Sequence, residues 1–217
     1  MQRKSRKDTV AKPGAYHHGD LVTTLLAATT ALIEERGVEG LSLREVSKRA
    51  GVSPGAPFRH FPTKKALLTA VAEQAMDRLS EALTSAQMKL KSADPAAIYE
   101  AIGVGYLDWA LSNPTHFQII SSRTIIDFDA SSKLVDQNAA IRDRMVDLLL
   151  QAQQLGQLPP AVDLNLVILS SRAFTYGLAR MAIDGHLSGW HPRETPKKAM
   201  RGALRLFMTQ LFVPHSR

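Results

Sequence analysis

Small residues stand between two short stretches of helical pattern near the front of this chain, as Ala50-Gly51 followed by the apolar Val52. Gly51 can adopt a left-handed backbone, and Ala50 allows two helices to cross closely. The major groove of B-DNA, about 12 Å wide, admits an α-helix, so residues 53–60 could read base edges while the preceding helix crosses the backbone. The spacing predicts a helix-turn-helix that binds DNA, although helical hairpins with such turns also occur as plain structure.

Basic residues are concentrated in the same part of the chain. Residues 1–65 hold twelve Lys and Arg against six Asp and Glu, whereas residues 66–217 hold fifteen against fourteen. This distribution favours contact with a polyanion through the front only, although charge alone does not distinguish nucleic acid from an acidic membrane surface. The basic run at residues 3–7 could enter a minor groove as an N-terminal arm, or it could be a solvated tail.

The composition also restricts the compartment. The chain has no cysteine, which removes disulfides and thiolate metal sites and suits a reducing interior. No apolar stretch follows the first basic residues as a secretory signal requires, and no uninterrupted apolar run reaches the roughly 18 residues of a membrane span. We therefore expect a cytoplasmic protein that does not act in a membrane.

The elements that must position residues 53–60 are predicted to be helices. Asp20 is a plausible N-cap for a first helix that ends at Arg36, before Gly37. Ser42 and Glu45 form a capping box for a second helix, which should end at Ala50. Ser53 offers the next N-cap with Pro54 at the first helical position, and a short third helix should end near residues 61–62.

The rest of the chain is also helical by its pattern. Thr63 caps a long fourth helix that runs to about Leu90. The apolar periodicity then predicts further helices or turns at Ala96–Leu111, 117–120, Lys133–Leu155, Leu164–Leu187, and from Thr195-Pro196 to Pro214. Leu164–Leu187 is apolar around most of its circumference and is expected to be buried. The prediction is an all-α protein of about nine helices, with an arm at 1–15, a three-helix domain at 16–68 and a helical domain at 69–217.

The front of the chain resembles the DNA-binding domain of the TetR repressor family. The resemblance lies in Ser42-Leu-Arg-Glu-Val-Ser, Val52-Ser53, Phe58-Arg-His-Phe-Pro-Thr-Lys64 and Ala66-Leu67-Leu68, and it covers residues 18–68. Residues 69–217 are similar in helix pattern only. The resemblance implies a homodimer whose front domain binds a double-stranded operator and whose rear domain binds a small-molecule effector. It also implies, with their apolar character, that the last two long helices form the dimer.

The resemblance assigns expected roles to single residues. Ser42, Arg44 and Lys64 would hold phosphates at helix starts. Arg59 would contact guanine or grip a phosphate. The other positions that face the bases are Ser53, Gly55 and Ala56, and those near the sugar-phosphate rim are Phe58 and His60.

Two positions depart from the family pattern. Phe58 stands where tyrosine is usual, so we expect its packing to be retained while a hydroxyl contact to phosphate is lost. Pro57 removes a backbone donor and should push Ala56 away from helical angles, so the recognition helix could begin later than Ser53.

An effector site is expected in the rear domain, where apolar and a few polar side chains recur on three predicted helices. Arg172 and Tyr176 are four residues apart on an apolar helix and share one face. If they line a cavity they favour an anionic or polar effector, and if they face a partner subunit they help to fix the dimer. The full set of candidates, each of which could instead be ordinary core, is Tyr106, Trp109, Phe117, Met145, Arg172, Phe174, Tyr176 and Met181.

The sequence contains little that indicates a metal site or a catalytic site. Tyr16-His17-His18-Gly19-Asp20 holds metal-ligand types, but adjacent side chains diverge in an extended segment, so we expect neither a metal nor another cofactor. No phosphate-binding glycine loop, nucleophile elbow or metal-spaced His/Glu pair is present. A ligand-responsive repressor is the preferred function; the alternatives are an effector-independent DNA binder of low sequence preference and, last, a helical hydrolase.

Overall fold

The computed structural model describes residues 18–212, and in that range the chain is all-helical. It contains the following elements: α1 His18–Arg36, α2 Leu43–Arg49, a 3-10 helix Pro57–Arg59, α3 Lys64–Lys89, α4 Pro95–Ser112, α5 Pro114–Ile120, α6 Ser132–Gln154, α7 Leu164–Ile183, α8 Leu187–Trp190 and α9 Pro196–Leu211. The predicted fold class, all-α with about nine helices, is confirmed. The predicted basic arm at 1–15 lies outside the described residues.

The chain divides into two compact units between His60 and Phe61. In the first unit α1 packs on α2 around fully buried Leu25 and Val46. The helix α1 begins at His18, so Asp20 lies inside it and is not its N-cap. Three described residues of the segment considered for metal are therefore helical, not extended, and no group of three potential metal ligands occurs within residues 18–212.

The second unit is a bundle built around α3 and α4. Thr63 caps α3 as predicted, since its hydroxyl accepts the Ala66 N–H at 3.0 Å. The helix α4 packs against α3, α6, α7 and α9, and its small Gly105 lies where α3 crosses. A Cβ atom at Gly105 would stand 2.9 Å from the Ala86 Cβ, so glycine is what allows these two helices to approach.

The helix α7 differs from its prediction in length and in burial. It ends at Ile183 because Gly185, with φ of +78°, turns the backbone away before the short α8. It is also only partly buried in the single chain, since Leu166 and Leu169 are 60% and 64% exposed. In the single chain the expectation of a buried helix is therefore met on one side only, because one apolar stripe packs on the bundle while the other faces outward.

The same helix is the one described segment that is long and apolar enough to match a membrane span in length and composition. A bundle helix of a soluble protein passes the same test. The helix packs on α4, α6 and α9, and it carries two charged residues, Arg172 and Arg180. These contacts describe a bundle helix.

Candidate DNA-binding surface and ligand cavity

Hydrogen bonds and ion pairs fix the start of α2. The Ser42 hydroxyl accepts the Glu45 N–H at 3.3 Å and donates to the Glu45 carboxylate at 2.9 Å. Arg36 pairs with Glu45 at 2.9 Å, and Arg49 pairs with Glu35 at 2.5 Å, both between α1 and α2. The hydrogen bond from Arg49 lowers the pKa of Glu35. These contacts on the surface orient α2, the first helix of the helix-turn-helix, against α1.

The turn after α2 has the predicted geometry. Gly51 has φ of +68°, which a non-glycine residue adopts only with strain. The Val52 N–H donates to the Ser47 carbonyl at 3.0 Å, and the Gly51 N–H donates to that of Lys48 at 3.3 Å. These bonds satisfy carbonyl groups at the helix end and close the turn.

Residues 53–60 do not form the predicted α-helix. The Ala56 N–H donates to the Ser53 carbonyl at 2.9 Å, and the His60 N–H donates to the Pro57 carbonyl at 3.1 Å, which are three-residue spacings. An α-helix from Ser53 would need the N–H of residue 57, and proline has none. Ser53 is therefore not a helix cap, and only a 3-10 helix forms, at Pro57–Arg59.

Pro57 acts differently from the expectation at the residue before it. Ala56 has helical angles, φ −61° and ψ −44°, so proline did not push it out of the helical region. Pro57 is itself buried and anchors the segment, while Phe58 is 49% exposed. The expectation that Phe58 retains the packing of the usual tyrosine is therefore met only in part.

The positions predicted to meet DNA lie mostly at the surface. Arg44 and Arg59 form no ion pair with any residue in the described range, so both guanidinium groups are available. Ala56, His60 and Lys64 are partly buried, and Lys64 is the first residue of α3 in the second unit. The exposed positions of the set are Ser42, Arg44, Ser53, Gly55, Phe58 and Arg59.

A cavity of about 380 Å³ lies within the second unit. Four of the predicted effector residues line it: Tyr106, Met145, Arg172 and Tyr176. Its apolar wall comes from α3, α4, α6, α7 and α9, and includes Met76, Leu79, Leu83, Ile102, Ile141 and Met208. This volume lies at the lower end of the range of about 300–1,000 Å³ that is usual for small-molecule sites.

The other predicted effector residues do not line this cavity. Phe117 is fully buried behind it and stacks on Tyr176 with ring centroids 5.6 Å apart. Trp109 is buried core, and Phe174 stacks on Phe207 at 4.6 Å. Met181 is also absent from the lining. The presence of an aromatic residue on a predicted helix did not show whether its side chain faces the cavity or the core.

Sequence reasoning missed several polar and aromatic lining residues. The Tyr99 hydroxyl shares a 2.6 Å hydrogen bond with Ser171, and burial raises the pKa of Tyr99 to about 12. Arg123 lies over the Phe128 ring, 3.2 Å from its centroid. Arg123 and Phe128 come from residues 121–131, between the predicted elements 117–120 and Lys133–Leu155, where the sequence predicted no helix. Spacing within a loop gives no signal of what the loop covers.

That segment is tied to the first half of α3. The Asp127 N–H donates to the Thr69 hydroxyl at 2.9 Å, and Lys65 pairs with the Asp127 carboxylate at 2.6 Å. Ser131, the N-cap of α6, donates to Glu73 at 2.7 Å. The wall of the cavity and the beginning of α3 are therefore connected by direct hydrogen bonds.

A helix-turn-helix unit followed by a helical unit with an internal cavity defines a DNA-binding transcriptional regulator. The family model for bacterial regulatory proteins of the tetR family matches residues 25–71, and the model for the tetracyclin repressor-like C-terminal domain matches residues 99–206. The chain belongs to the TetR family. Regulators of this family bind DNA operators and small-molecule ligands, usually as homodimers, and they are not enzymes.

The chain is similar over nearly its whole length to the solved structure of a protein with unknown function from Rhodococcus sp. RHA1. The two share 31% identity and a TM-score of 0.73, over 90% of this chain and 97% of the other. Among curated proteins it is 39% identical over 70 residues to the HTH-type transcriptional regulator CymR of Pseudomonas putida, covering 32% of this chain and 34% of CymR. It is 36% identical over 84 residues to the HTH-type transcriptional regulator BetI of Yersinia pestis (strain Pestoides F), which covers 39% of this chain and 42% of BetI. Neither curated alignment reaches half of the relative's length.

Proposed function

We propose that the protein is a ligand-responsive repressor that binds a palindromic operator as a homodimer and leaves it when a small molecule occupies the cavity. The observation that carries this proposal is the 380 Å³ cavity, which lies in the same chain as the helix-turn-helix. A repressor of this kind acts on the chromosome, so its place is the cytoplasm.

DNA contact is assigned to the motif and to the start of α3. Ser42, Arg44 and Lys64 hold phosphates, which positions the protein without reading sequence. Arg59 contacts either a guanine, with two hydrogen bonds, or a phosphate; its exposed guanidinium group, which forms no ion pair within residues 18–212, supports contact with DNA in either form. The segment that faces the bases also includes Ser53, Gly55 and Ala56, with Phe58 and His60 at its rim. Only three residues of this segment, Pro57–Arg59, are helical, and they form a 3-10 helix rather than a recognition α-helix.

The dimer is assigned to α7 and α9. The outward stripe of α7 carries Leu166, and α9 carries Leu206, both at least 60% exposed in the single chain. Leu169, which is also exposed, lines the cavity. Apolar stripes of this kind on two adjacent helices are covered when the same helices of a second copy pack against them as a four-helix bundle. Leu206→Glu should therefore convert the dimer to a monomer in light scattering, whereas Leu150→Glu, on the exposed side of α6, should leave it dimeric.

The helix α3 is the proposed connection between the effector and DNA. Its middle lines the cavity through Met76 and Leu79, and its first residue, Lys64, follows His60 by four positions. A ligand that displaces α3 or the 121–131 segment moves the start of α3, and residues 53–60 are joined to that start by three residues of chain. Such coupling requires that the effector binds the DNA-incompetent arrangement more tightly than the competent one.

Genomic footprinting with the purified protein tests the function. We expect a short, two-fold symmetric protected site, with half-sites about 34–36 Å apart between centres, near the gene for this chain or its neighbours. Arg59→Ala should weaken binding by about 1–3 kcal/mol and relax specificity at one position, while Arg142→Ala on α6 should have no effect. Smooth coverage without a preferred site would instead establish an effector-independent DNA binder.

A further inference from the structure

The charged residues of the cavity are of one sign. Arg123 and Arg172 line it, and no carboxylate does. Arg172 forms no ion pair within residues 18–212, and its nearest recorded partner is the Asn138 amide oxygen, at 3.5 Å. Arg123 pairs with Asp129 at 3.4 Å, but that aspartate is 96% exposed, so the pair neutralises Arg123 only weakly. The cavity therefore presents uncompensated positive charge.

The hydroxyl groups of the lining divide into those already satisfied and those still free to bind a ligand. The hydroxyl groups of Tyr99 and Ser171 are hydrogen-bonded to each other, and the Thr175 hydroxyl donates to backbone carbonyls of α7. Tyr106 and Tyr176 have no recorded hydrogen bond within the described range. Burial raises the pKa of Tyr106 to about 12, against an opposing effect of the nearby Arg172, so its hydroxyl stays protonated and can donate.

We infer that the ligand of this cavity is a small apolar carboxylic acid, bound as its anion with the carboxylate on Arg172, the Tyr106 hydroxyl as a second donor, and the apolar body against the methionines and leucines. The inference rests on the proposed function in taking this cavity as the effector site. A guanidinium group matches a carboxylate with two parallel hydrogen bonds, which no neutral acceptor equals.

Ligands of other charge fit the same lining less well. A cation would meet two arginines and no acid. A neutral apolar molecule would offer Arg172 no charged acceptor, so it would gain nothing from the exposed guanidinium group and would displace some of its water wherever the two touch. Tyr176 is 41% exposed although it lines the cavity, so the arginine end lies where the cavity opens to solvent. The anionic group can thus stay near water while the apolar body is buried.

Calorimetric titration of the full-length protein without DNA tests the charge class. The probes are decanoate, 4-phenylbutyrate, decanamide and decylamine, so that aliphatic and aryl acids are compared with a neutral and a cationic analogue. We expect at least one acid to bind about 10-fold or more tightly than the amide, and the amine not to bind. Binding of none of the four, or binding of the amide or amine as tightly as the acids, would overturn the inference.

Substitution of Arg172 distinguishes a role in binding the carboxylate from a purely structural role. Arg172→Gln should weaken acid binding about 10-fold or more while leaving amide binding unchanged. Arg172→Lys should bind the acid with an affinity between those of the parent and Arg172→Gln, because lysine keeps the charge but lacks the two parallel N–H donors of the guanidinium group. The control is Arg180→Gln on the same helix, since Arg180 pairs with Asp184 and does not line the cavity. A monomeric Arg172→Gln variant, or one that binds acid normally, would assign Arg172 elsewhere and refute the inference.

Binding of an acid in the cavity and release of the operator can fail independently of each other. If the acids bind but do not release the protein from its footprinted operator, the proposed response to ligand fails while the chemistry of the cavity stands. If another compound releases the operator and no acid binds, the regulatory proposal stands while the inference about carboxylic acids is lost.

Discussion

Two glycines of α4, two residues apart, should respond oppositely to the same substitution. A Cβ atom at Gly105 would lie 2.9 Å from the Ala86 Cβ and 3.3 Å from the Ala82 carbonyl oxygen, atoms held by the α3 backbone. A Cβ atom at Gly103 would also meet an atom at 2.9 Å, but that atom is the Cδ2 methyl of Leu204, at the end of a flexible side chain. Only the first contact requires two helices to separate.

The magnitude follows from two opposing contributions. Replacing glycine with alanine inside a helix stabilises it by about 1 kcal/mol, and this gain is the same at both positions. Overpacking of a rigid contact costs about 1–3 kcal/mol. Gly105→Ala should therefore range from neutral to about 2 kcal/mol less stable than the parent, whereas Gly103→Ala should be about 1 kcal/mol more stable because the Leu204 side chain can shift. The difference between the variants, about 1–3 kcal/mol, is the better quantity because the helix contribution cancels.

The assay is urea unfolding followed by far-ultraviolet circular dichroism, at one protein concentration because the stability of a dimer depends on concentration. The slope with urea should agree between the variants, so that the midpoints report stability alone. In thermal unfolding, each 1 kcal/mol corresponds to about 2–4 °C for a chain of this size. If Gly105→Ala proved as stable as Gly103→Ala, the close crossing of α3 and α4 would not be the reason for glycine at 105.

Three further outcomes follow from single residues. Burial raises the pKa of Tyr106 to about 12, so the contribution of this residue to the free energy of unfolding should be fully present below pH 10 and should be lost as the pH rises from 10 to 12. In urea unfolding, the decrease in stability over this pH range should be smaller in Tyr106→Phe. Burial, aided by Arg78, lowers the pKa of His116, so unfolding free energies should decrease as the pH falls below 6.5, and less so in His116→Gln. Thr63→Ala removes the cap of α3 and should cost about 1 kcal/mol in the same assay, whereas Thr63→Ser should cost little.

The sequence determined where most helices begin and end. The predicted caps Ser42 and Thr63 each accept a backbone N–H in the structure, and so does Thr195, where the last helix was predicted to begin. A cap is decided by a side chain and an amide two or three residues away, so local sequence contains most of the information, although Asp20 and Ser53 were also predicted as caps and are not. The turn at Gly51 was predictable for the same reason.

The recognition segment shows the limit of local rules when they compete. Ser53 and Pro54 indicated a helix start, Pro57 argued for a later one, and the sequence did not say which would prevail. In the structure the missing N–H of Pro57 prevented the α-helical bond to Ser53, and burial of its ring stabilised a 3-10 helix instead.

The cavity was decided by tertiary structure. The pattern placed Arg172 and Tyr176 on one face of α7. Only the packing of α7 against α4, α6 and α9 decided that this face lines the cavity, whereas Trp109 and Phe174 do not line it. Likewise, apolar residues around α7 did not reveal which leucines the single chain leaves exposed. Periodicity fixes which residues share a side of a helix, whereas the neighbours that each side meets depend on contacts between residues far apart in the chain.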